Sequence, residues 1–412
     1  MNKVWKVYRD TSFMLKMSIG FIAGILLGAI IGPSISVIEP LGTIFLNLLQ
    51  LIVIPIIMLT LIGALNDIRP SSLGKIGIKI FIYYILTTAI ATFLGLIFAT
   101  WLSPGNGLKL PEESEPVPDQ PSLTDVILNI FPDNIFQAFI DSNILAIVFI
   151  SLAIGFILSF MAESNDTLTA NRGKLVFDFV AALEDVTFRF LNAVLQYAPI
   201  GVFALIATTV GEQSFSTLGA LGKLIIAVFG SVIVQIILVY GGILLFYRIN
   251  PFQFFYKIRL PISTAFFTQS STGTLPITLK TAKIPEINDG VGKFTLPIGA
   301  TINMDGAAIR LGASVVFAAN IIGLDLSFTT LLGIVVTATL ISIGTAGVPG
   351  AGIVALSVVL TQFDLPMEAV ALVAGIDVIL GMAATACNIA GDLVGAAAVS
   401  QSENKHQNVR QA

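Results

Sequence analysis

The chain has 412 residues, of which 55% are hydrophobic and only 11% charged, with a net charge of −4. A soluble domain is usually about 25% charged, so this composition, with a mean hydropathy of +0.93, excludes the soluble globular class and describes a polytopic membrane protein. A lone cysteine, Cys387, excludes an internal disulfide and a cysteine-built metal site, and the one histidine, His406, lies in the polar end 401–412.

A membrane-spanning helix needs about 20 apolar residues. Candidates fall at 14–35, 42–65, 78–102, 140–161, 190–211 and 221–247. The first follows a basic segment and is long enough to span, so it reads as a helix rather than a cleaved signal. Basic residues set the orientation. Lys3, Lys6, Arg9 and Lys16 put the N-terminus inside. Arg69, Lys75 and Lys79 follow the second helix, Arg172, Lys174 and Arg189 the fourth, and Arg248, Lys257 and Arg259 the sixth. The alternate loops hold little positive charge. The loop 103–122 is rich in Pro, Glu and Gly and reads as an extracellular strap or a plain surface loop.

Four apolar segments remain: 250–283, 291–320, 328–362 and 366–399. Lys280, Lys283 and Lys293 follow the first of them, so 250–283 enters and leaves on the inner side as a re-entrant hairpin, with its tip at Ser270–Pro276. Asp325 and Asp364 flank 328–362, which fits a second hairpin from outside with its tip at Gly344–Gly352. The expected fold is all-α, with eight transmembrane helices and two opposed hairpins arranged as inverted repeats. A plain ten-span chain is the alternative, but it places Lys280, Lys283 and Lys293 outside. Broken backbone at membrane depth is tolerated only inside protein or along a watery cavity. A pair of such breaks points to a transporter's binding site.

Ionisable residues inside spans mark function by default. Asp305, Asp377, Asp392 and Arg310 are the clear ones. In the last helix, Asp377, Gly381, Ala384, Thr385, Asn388 and Asp392 recur at spacings of three or four and share a face. Asn303, Ala307 and Arg310 share a face too if their helix is regular. Asp377 lines a cavity or satisfies freed hairpin backbone. Carboxylate and amide oxygens are hard-cation ligands, so Asn303, Asp305, Asn388 and Asp392 suggest an alkali-metal site. Cys387 reads as a small buried helix residue.

Three stretches carry a resemblance: Asn303-Met304-Asp305-Gly306, Gly344-Thr345-Ala346-Gly347-Val348-Pro349-Gly350-Ala351-Gly352 and Gln196-Tyr197-Ala198-Pro199-Ile200-Gly201-Val202-Phe203. They resemble the dicarboxylate/amino acid:cation symporters, the glutamate transporter homologues, and the resemblance runs from the first helix to about Gly395. It implies a homotrimer in the plasma membrane with both termini cytoplasmic. It implies a scaffold of 1–75 and 123–215, and a transport domain of 76–102 and 216–400 that moves as an elevator. The loop 103–122 is then extracellular, the tail 401–412 cytoplasmic, and the second hairpin the outer gate.

The same resemblance implies co-transported sodium at three places. One is Asp392 with backbone of Gly299, Asn303 and Asn388. A second is Tyr84, Thr87 and Thr88 with Asn303 and Asp305. A third is backbone of Thr301, Ser342, Ile343 and Thr345. For the substrate it implies contacts from Ser271, Thr385 and Asn388, with Val348 and Gly352 of the second break. The family's amino acid transporters place an Asp at the Gly381 position, commonly an Arg at Ala384 or Gln269, and commonly a Thr at Ala307; all are missing here. Arg310 is the expected replacement guanidinium, or else it pairs with an acid such as Asp377. The expected cargo is a small carboxylate, a dicarboxylate or an amino-acid-like organic anion, rather than glutamate or aspartate.

Proton coupling, a neutral amino acid cargo and a channel are the competing readings. An aspartyl hydrolase is excluded, because Asp377 and Asp392 lie more than about 20 Å apart on one helix. No nucleophile–base motif, P-loop or nucleotide fingerprint occurs, and nothing suggests a nucleic-acid partner.

Overall fold

The computed structural model describes residues 11, 13–66, 73–108, 128, 130–213, 216–343, 345, 347 and 350–411. The basic residues Lys3, Lys6, Arg9 and Arg69, residues 109–122 of the expected loop and Val348 lie outside the described residues.

The described elements are helical. Helix α1 (Phe13–Ile31) passes through a 3-10 segment, Gly32–Ile38, into α2 (Glu39–Ala64). Then come α3 (Ile78–Leu102), a short α4 (Ile135–Ile140), α5 (Ile144–Ala162) and α6 (Thr167–Gln213). Helix α7 (Ser216–Val234) runs into a π turn, Gln235–Tyr240, and on into α8 (Gly241–Phe246). The chain continues with α9 (Pro251–Lys257), α10 (Arg259–Thr268), α11 (Ser271–Thr281), α12 (Asp289–Ile302) and α13 (Asp305–Ile321). Last come α14 (Phe328–Ile343), α15 (Ala351–Gln362) and α16 (Glu368–Gln411).

Among the described residues, seven helical stretches are long and apolar enough to cross a bilayer, and Leu15–Ala64 counts as one of them. At 50 residues it would be about 75 Å long, more than twice a hydrocarbon core of about 30 Å. Its packing on α6 resolves this. On α1, Gly20, Gly24 and Gly28 press on Pro199, Phe203 and Ala207, so the two helices run the same way. On α2, Phe45 meets Gly201 while Gly63 meets Glu184, so that helix runs the opposite way. The chain therefore doubles back at Gly32–Ile38, and the stretch is two legs, as the spacing of the apolar runs predicts.

Other boundaries differ from expectation. Helix α6 begins at Thr167 rather than near 190, and α16 continues to Gln411 rather than ending near 399. The 250–283 segment breaks at Gln269 and Ser270, and Pro276 lies inside α11. The segment 291–320 is not one regular helix, because it is interrupted at Asn303 and Met304.

Helix α13 is the centre of the molecule, buried at almost every position. Small residues let its neighbours approach closely, the usual way helices associate in lipid. Gly95 of α3 lies on the Ile309 carbonyl, and Gly312 lies on the Thr92 carbonyl. Large apolar side chains such as Ile82, Leu238, Phe246 and Phe267 point outward instead, as a lipid-facing surface requires.

Gly306, in the first turn of α13, lies against α16, where a Cβ would collide with backbone of Ala384. Gly306→Ala is expected to lower stability by about 1–3 kcal/mol. Gly219→Ala, which meets nothing within 4 Å, should be neutral or stabilising by up to about 1 kcal/mol. Thermal unfolding in detergent separates the two, and equal behaviour would contradict the close α13–α16 approach.

Candidate functional site

The two broken stretches meet. Gln269 ends α10 in the left-handed region at φ 54, and Ser270 caps α11 by accepting from the Gly273 N–H at 2.9 Å. The Ser270 hydroxyl donates to the Gly347 carbonyl at 2.9 Å, and the Thr272 N–H reaches the same oxygen at 3.4 Å. Gly347 belongs to the second break, of which residues 344, 346, 348 and 349 lie outside the described residues. Hydrogen bonds across the tips replace those that each helix loses where it stops.

Beneath this contact lies a cavity of about 40 Å³. Nine of the substrate residues predicted from sequence line it: Gln269, Ser271, Ala307, Arg310, Gly352, Gly381, Ala384, Thr385 and Asn388. Asp377, Met304, Thr345 and the backbone of the second break complete the wall. The space holds a few waters at about 10–15 Å³ each. It is far below the roughly 300–1,000 Å³ of a ligand pocket, so the site is narrow.

Arg310 donates from Nη1 to Asp377 Oδ1 at 2.5 Å, with side-chain exposures of 6% and 3%. Of the two roles open to Arg310 in the sequence, the geometry gives the pairing directly, and it places the pair in the cavity wall. Gly352 makes room for it, since a Cβ there would overlap the guanidinium. Gln269 fills another gap: its Oε1 stands 2.7 Å from where a Cβ on Gly381 would be. The Thr385 hydroxyl donates to the Gly381 carbonyl at 2.8 Å. Asn388 works in two directions. Its Oδ1 accepts from the Gly306 N–H at 2.7 Å and so satisfies the start of α13. Its Nδ2 meets only the Met304 thioether, at 3.2 Å, a weak acceptor.

The expected cation residues cluster one layer away. Asp305 opens α13 with one carboxylate oxygen toward α3 and one toward the π turn. Oδ1 accepts from Thr88 at 2.6 Å and Thr87 at 3.3 Å. Oδ2 accepts from Tyr240 at 2.7 Å and Gln235 at 3.3 Å. Tyr84, expected beside them, donates to the Thr295 carbonyl at 2.9 Å. Asn303 donates to Asp392 Oδ1 at 2.9 Å and to the Asn388 carbonyl at 3.4 Å, which joins Asp392, Asn303 and Asn388. Gly299 adjoins them, because a Cβ there would lie 2.5 Å from Asp392 Oδ1 and 2.6 Å from the Tyr84 hydroxyl. Asn303 Oδ1 and Asp392 Oδ2 are buried without a partner. Ser342 and Thr345 are buried, with hydroxyls bonded to Thr339 and Ile341 carbonyls. The Thr301 hydroxyl donates to the Ile298 carbonyl at 3.0 Å, and the Thr345 N–H reaches the Ser342 carbonyl at 3.1 Å.

Among the described residues neither Asp305 nor Asp392 has a basic partner within ion-pair distance. Buried charges are paired or coordinate a metal ion, and these donors and oxygens suit a hard cation. Sequence reasoning missed Gln235 and Tyr240. The signal is a glutamine inside the apolar run Val232–Ile236, but its spacing ties it to no ionisable residue of its own helix.

The chain matches the sodium:dicarboxylate symporter family over residues 13–402. It is 31% identical to the proton/sodium-glutamate symport protein of Geobacillus stearothermophilus, over 97% of this chain and 96% of that one. It is 29% identical to neutral amino acid transporter B(0) of Bos taurus, over 96% and 81% of the two chains. It is 29% identical to excitatory amino acid transporter 3 of Mus musculus, over 88% and 79%. The chain belongs to this family and is a membrane symporter.

Breaking a buried ion pair strands the remaining charge, whereas replacing both partners by apolar groups does not. Arg310→Gln is therefore expected to destabilise by about 3–5 kcal/mol. The double variant Arg310→Met with Asp377→Leu should recover most of that loss in thermal unfolding. Equal losses in the two would show that the pair is not what holds this wall.

Proposed function

We propose that the chain carries a small carboxylate, a dicarboxylate or an amino-acid-like organic anion other than glutamate or aspartate, across the plasma membrane by sodium-coupled symport. The observation that carries this reading is one narrow cavity walled by Arg310, beside two buried carboxylates that have oxygen and amide neighbours but no basic partner among the described residues.

Arg310 presents five N–H donors on a planar fork, and its bond to Asp377 uses Nη1. The rest of the fork serves a substrate carboxylate. Ser271 stands in the first turn of α11, where helix N–H groups favour an anion. Asn388 Nδ2, which rests on a thioether, is a second donor. Gly381 offers no carboxylate to an ammonium group, and the neutral Gln269 amide occupies that space. This argues against glutamate and aspartate. A specific observation favours a second reading, a neutral amino acid: Asp377 lines the same cavity and could take the ammonium while Arg310 takes the carboxylate.

The relatives' names include both sodium and proton as coupling ions. Oxygen ligands at Asp305, Asp392, Thr87, Thr88 and Asn303 favour sodium here. Eight passes and two opposed hairpins, 250–283 from the cytoplasmic side and 328–362 from outside, carry the site. Residues 76–102 and 216–400 move as an elevator against the scaffold 1–75 and 123–215, within a homotrimer. Loop 103–122 is extracellular, and the N-terminus and the tail 401–412 are cytoplasmic. The second hairpin opens to admit substrate, because the cavity holds only a few waters.

A thermal-shift screen of dicarboxylates, neutral amino acids and acidic amino acids, in sodium or in choline, tests this. A dicarboxylate is expected to stabilise the protein only with sodium. Stabilisation by glutamate or aspartate alone would remove the substrate reading, and stabilisation by a neutral amino acid would select the second one. In liposomes, Arg310→Lys is expected to raise KM at least about tenfold, or 1.4 kcal/mol. Unchanged uptake and preference would take Arg310 out of the substrate site.

A further inference from the structure

Gln235 begins the π turn that follows α7, and Tyr240 ends it. In a regular α-helix two residues five apart point about 140° away from each other. The π turn brings them round so that both reach Asp305 Oδ2, Tyr240 at 2.7 Å and Gln235 at 3.3 Å. Such single π turns are frequent at functional sites.

The amide of Gln235 is arranged in an uneconomical way. Its Nε2 donates to Asp305 Oδ2 and to the Thr87 carbonyl, both at 3.3 Å. Its Oε1 is buried with no partner, in a side chain of 0% exposure. Asn303 shows the same arrangement: Nδ2 between Asp392 Oδ1 and the Asn388 carbonyl, and Oδ1 buried without a partner. In each case an NH2 group sits between two oxygens, where a cation would sit. In each case the amide oxygen faces away and is unsatisfied. The two clusters adjoin at Gly391, where a Cβ would lie 2.6 Å from the Tyr240 hydroxyl and 2.7 Å from Asn303 Nδ2.

We propose that Gln235 is a ligand of the alkali cation held at Asp305, and that its amide turns over between the ion-free and ion-bound states. Without the ion, the NH2 group bridges Asp305 and Thr87 and stands in for the missing positive charge. With the ion, rotation of the amide exchanges donor for acceptor, since O and N occupy equivalent positions about that bond. Oε1 then joins Asp305 Oδ2 and the Thr87 carbonyl around the ion, and its lone pairs gain the partner they lack. The oxygen-only set suits a hard monovalent ion. This inference rests on the sodium-coupled reading, but it assigns a residue that neither the resemblance nor the spacing of ionisable groups supplied.

The test is the sodium dependence of thermal stability of the purified full-length protein, without substrate, in choline-balanced sodium chloride. Gln235→Leu removes the oxygen and is expected to raise the sodium midpoint at least tenfold. Gln235→Glu keeps oxygens and loses the donor. It is expected to keep the midpoint within threefold of the wild type or below it, with a larger sodium-induced shift because its ion-free state lacks the bridging NH2. Ser231→Ala, one turn earlier on the same helix, is the folding control. A wild type that ignores sodium would overturn the sodium-coupled reading itself. A wild type that responds, with Gln235→Leu at the wild-type midpoint, would overturn the assignment of Gln235 alone. If Gln235→Leu does not fold, a tenfold higher midpoint in Gln235→Glu would overturn it equally. Tyr240→Phe removes a shorter bond to Asp305 but no cation ligand. A shift in it as large as that in Gln235→Leu would mean that Gln235 only positions Asp305.

Discussion

A helix that stops inside a membrane leaves backbone groups that lipid cannot satisfy, and among the described residues three interruptions of apolar helix lie around this chain's cavity. The breaks fall at Gln269–Ser270, at Asn303–Met304 and in the stretch before Gly350. Protein groups must finish what the helices leave undone. Ser270 and Thr272 reach across to Gly347, and Asn388 accepts from Gly306. The same breaks bring Ser271, Asn388 and Gly347 to the cavity wall. The site is thus built from the repair of interrupted helices.

Charge divides that region into two unlike halves. The cavity wall carries one cation and one anion, Arg310 and Asp377, bonded to each other. Its net charge is near balance, and a substrate carboxylate has to share or displace Asp377 on the guanidinium. The neighbouring layer carries Asp305 and Asp392 with hydroxyl and amide donors but no basic partner among the described residues. Donors reduce the cost of a buried carboxylate but do not cancel its charge. A cation arriving there gains the full attraction of a low-dielectric site.

Close backbone approach gives these halves a rigid frame. Glycines seat α13 against α3 and against α16, so Asp305 and Arg310, on one helix, have fixed partners on two others. Where the two broken stretches meet, the hydrogen bonds among the described residues go to a single carbonyl, that of Gly347.

The sequence alone determined the apolar spans, the two broken stretches and the cast of polar residues. These are properties of local composition and period: a bilayer demands about 20 apolar residues per span, and any polar residue within one stands out. Nine of the expected substrate residues share one cavity for that reason, since few positions in such a chain can be polar without purpose. Only tertiary structure decided the partners. It broke the 291–320 helix at Asn303, so the expected common face of Asn303 and Arg310 became two separate neighbourhoods. It gave Arg310 to Asp377 rather than leaving it free, and it brought Gln235, a neutral residue in an apolar run, to Asp305 through a π turn. Burial is written in the local pattern of a chain, but which buried groups meet depends on where distant helices cross, and no local pattern encodes that.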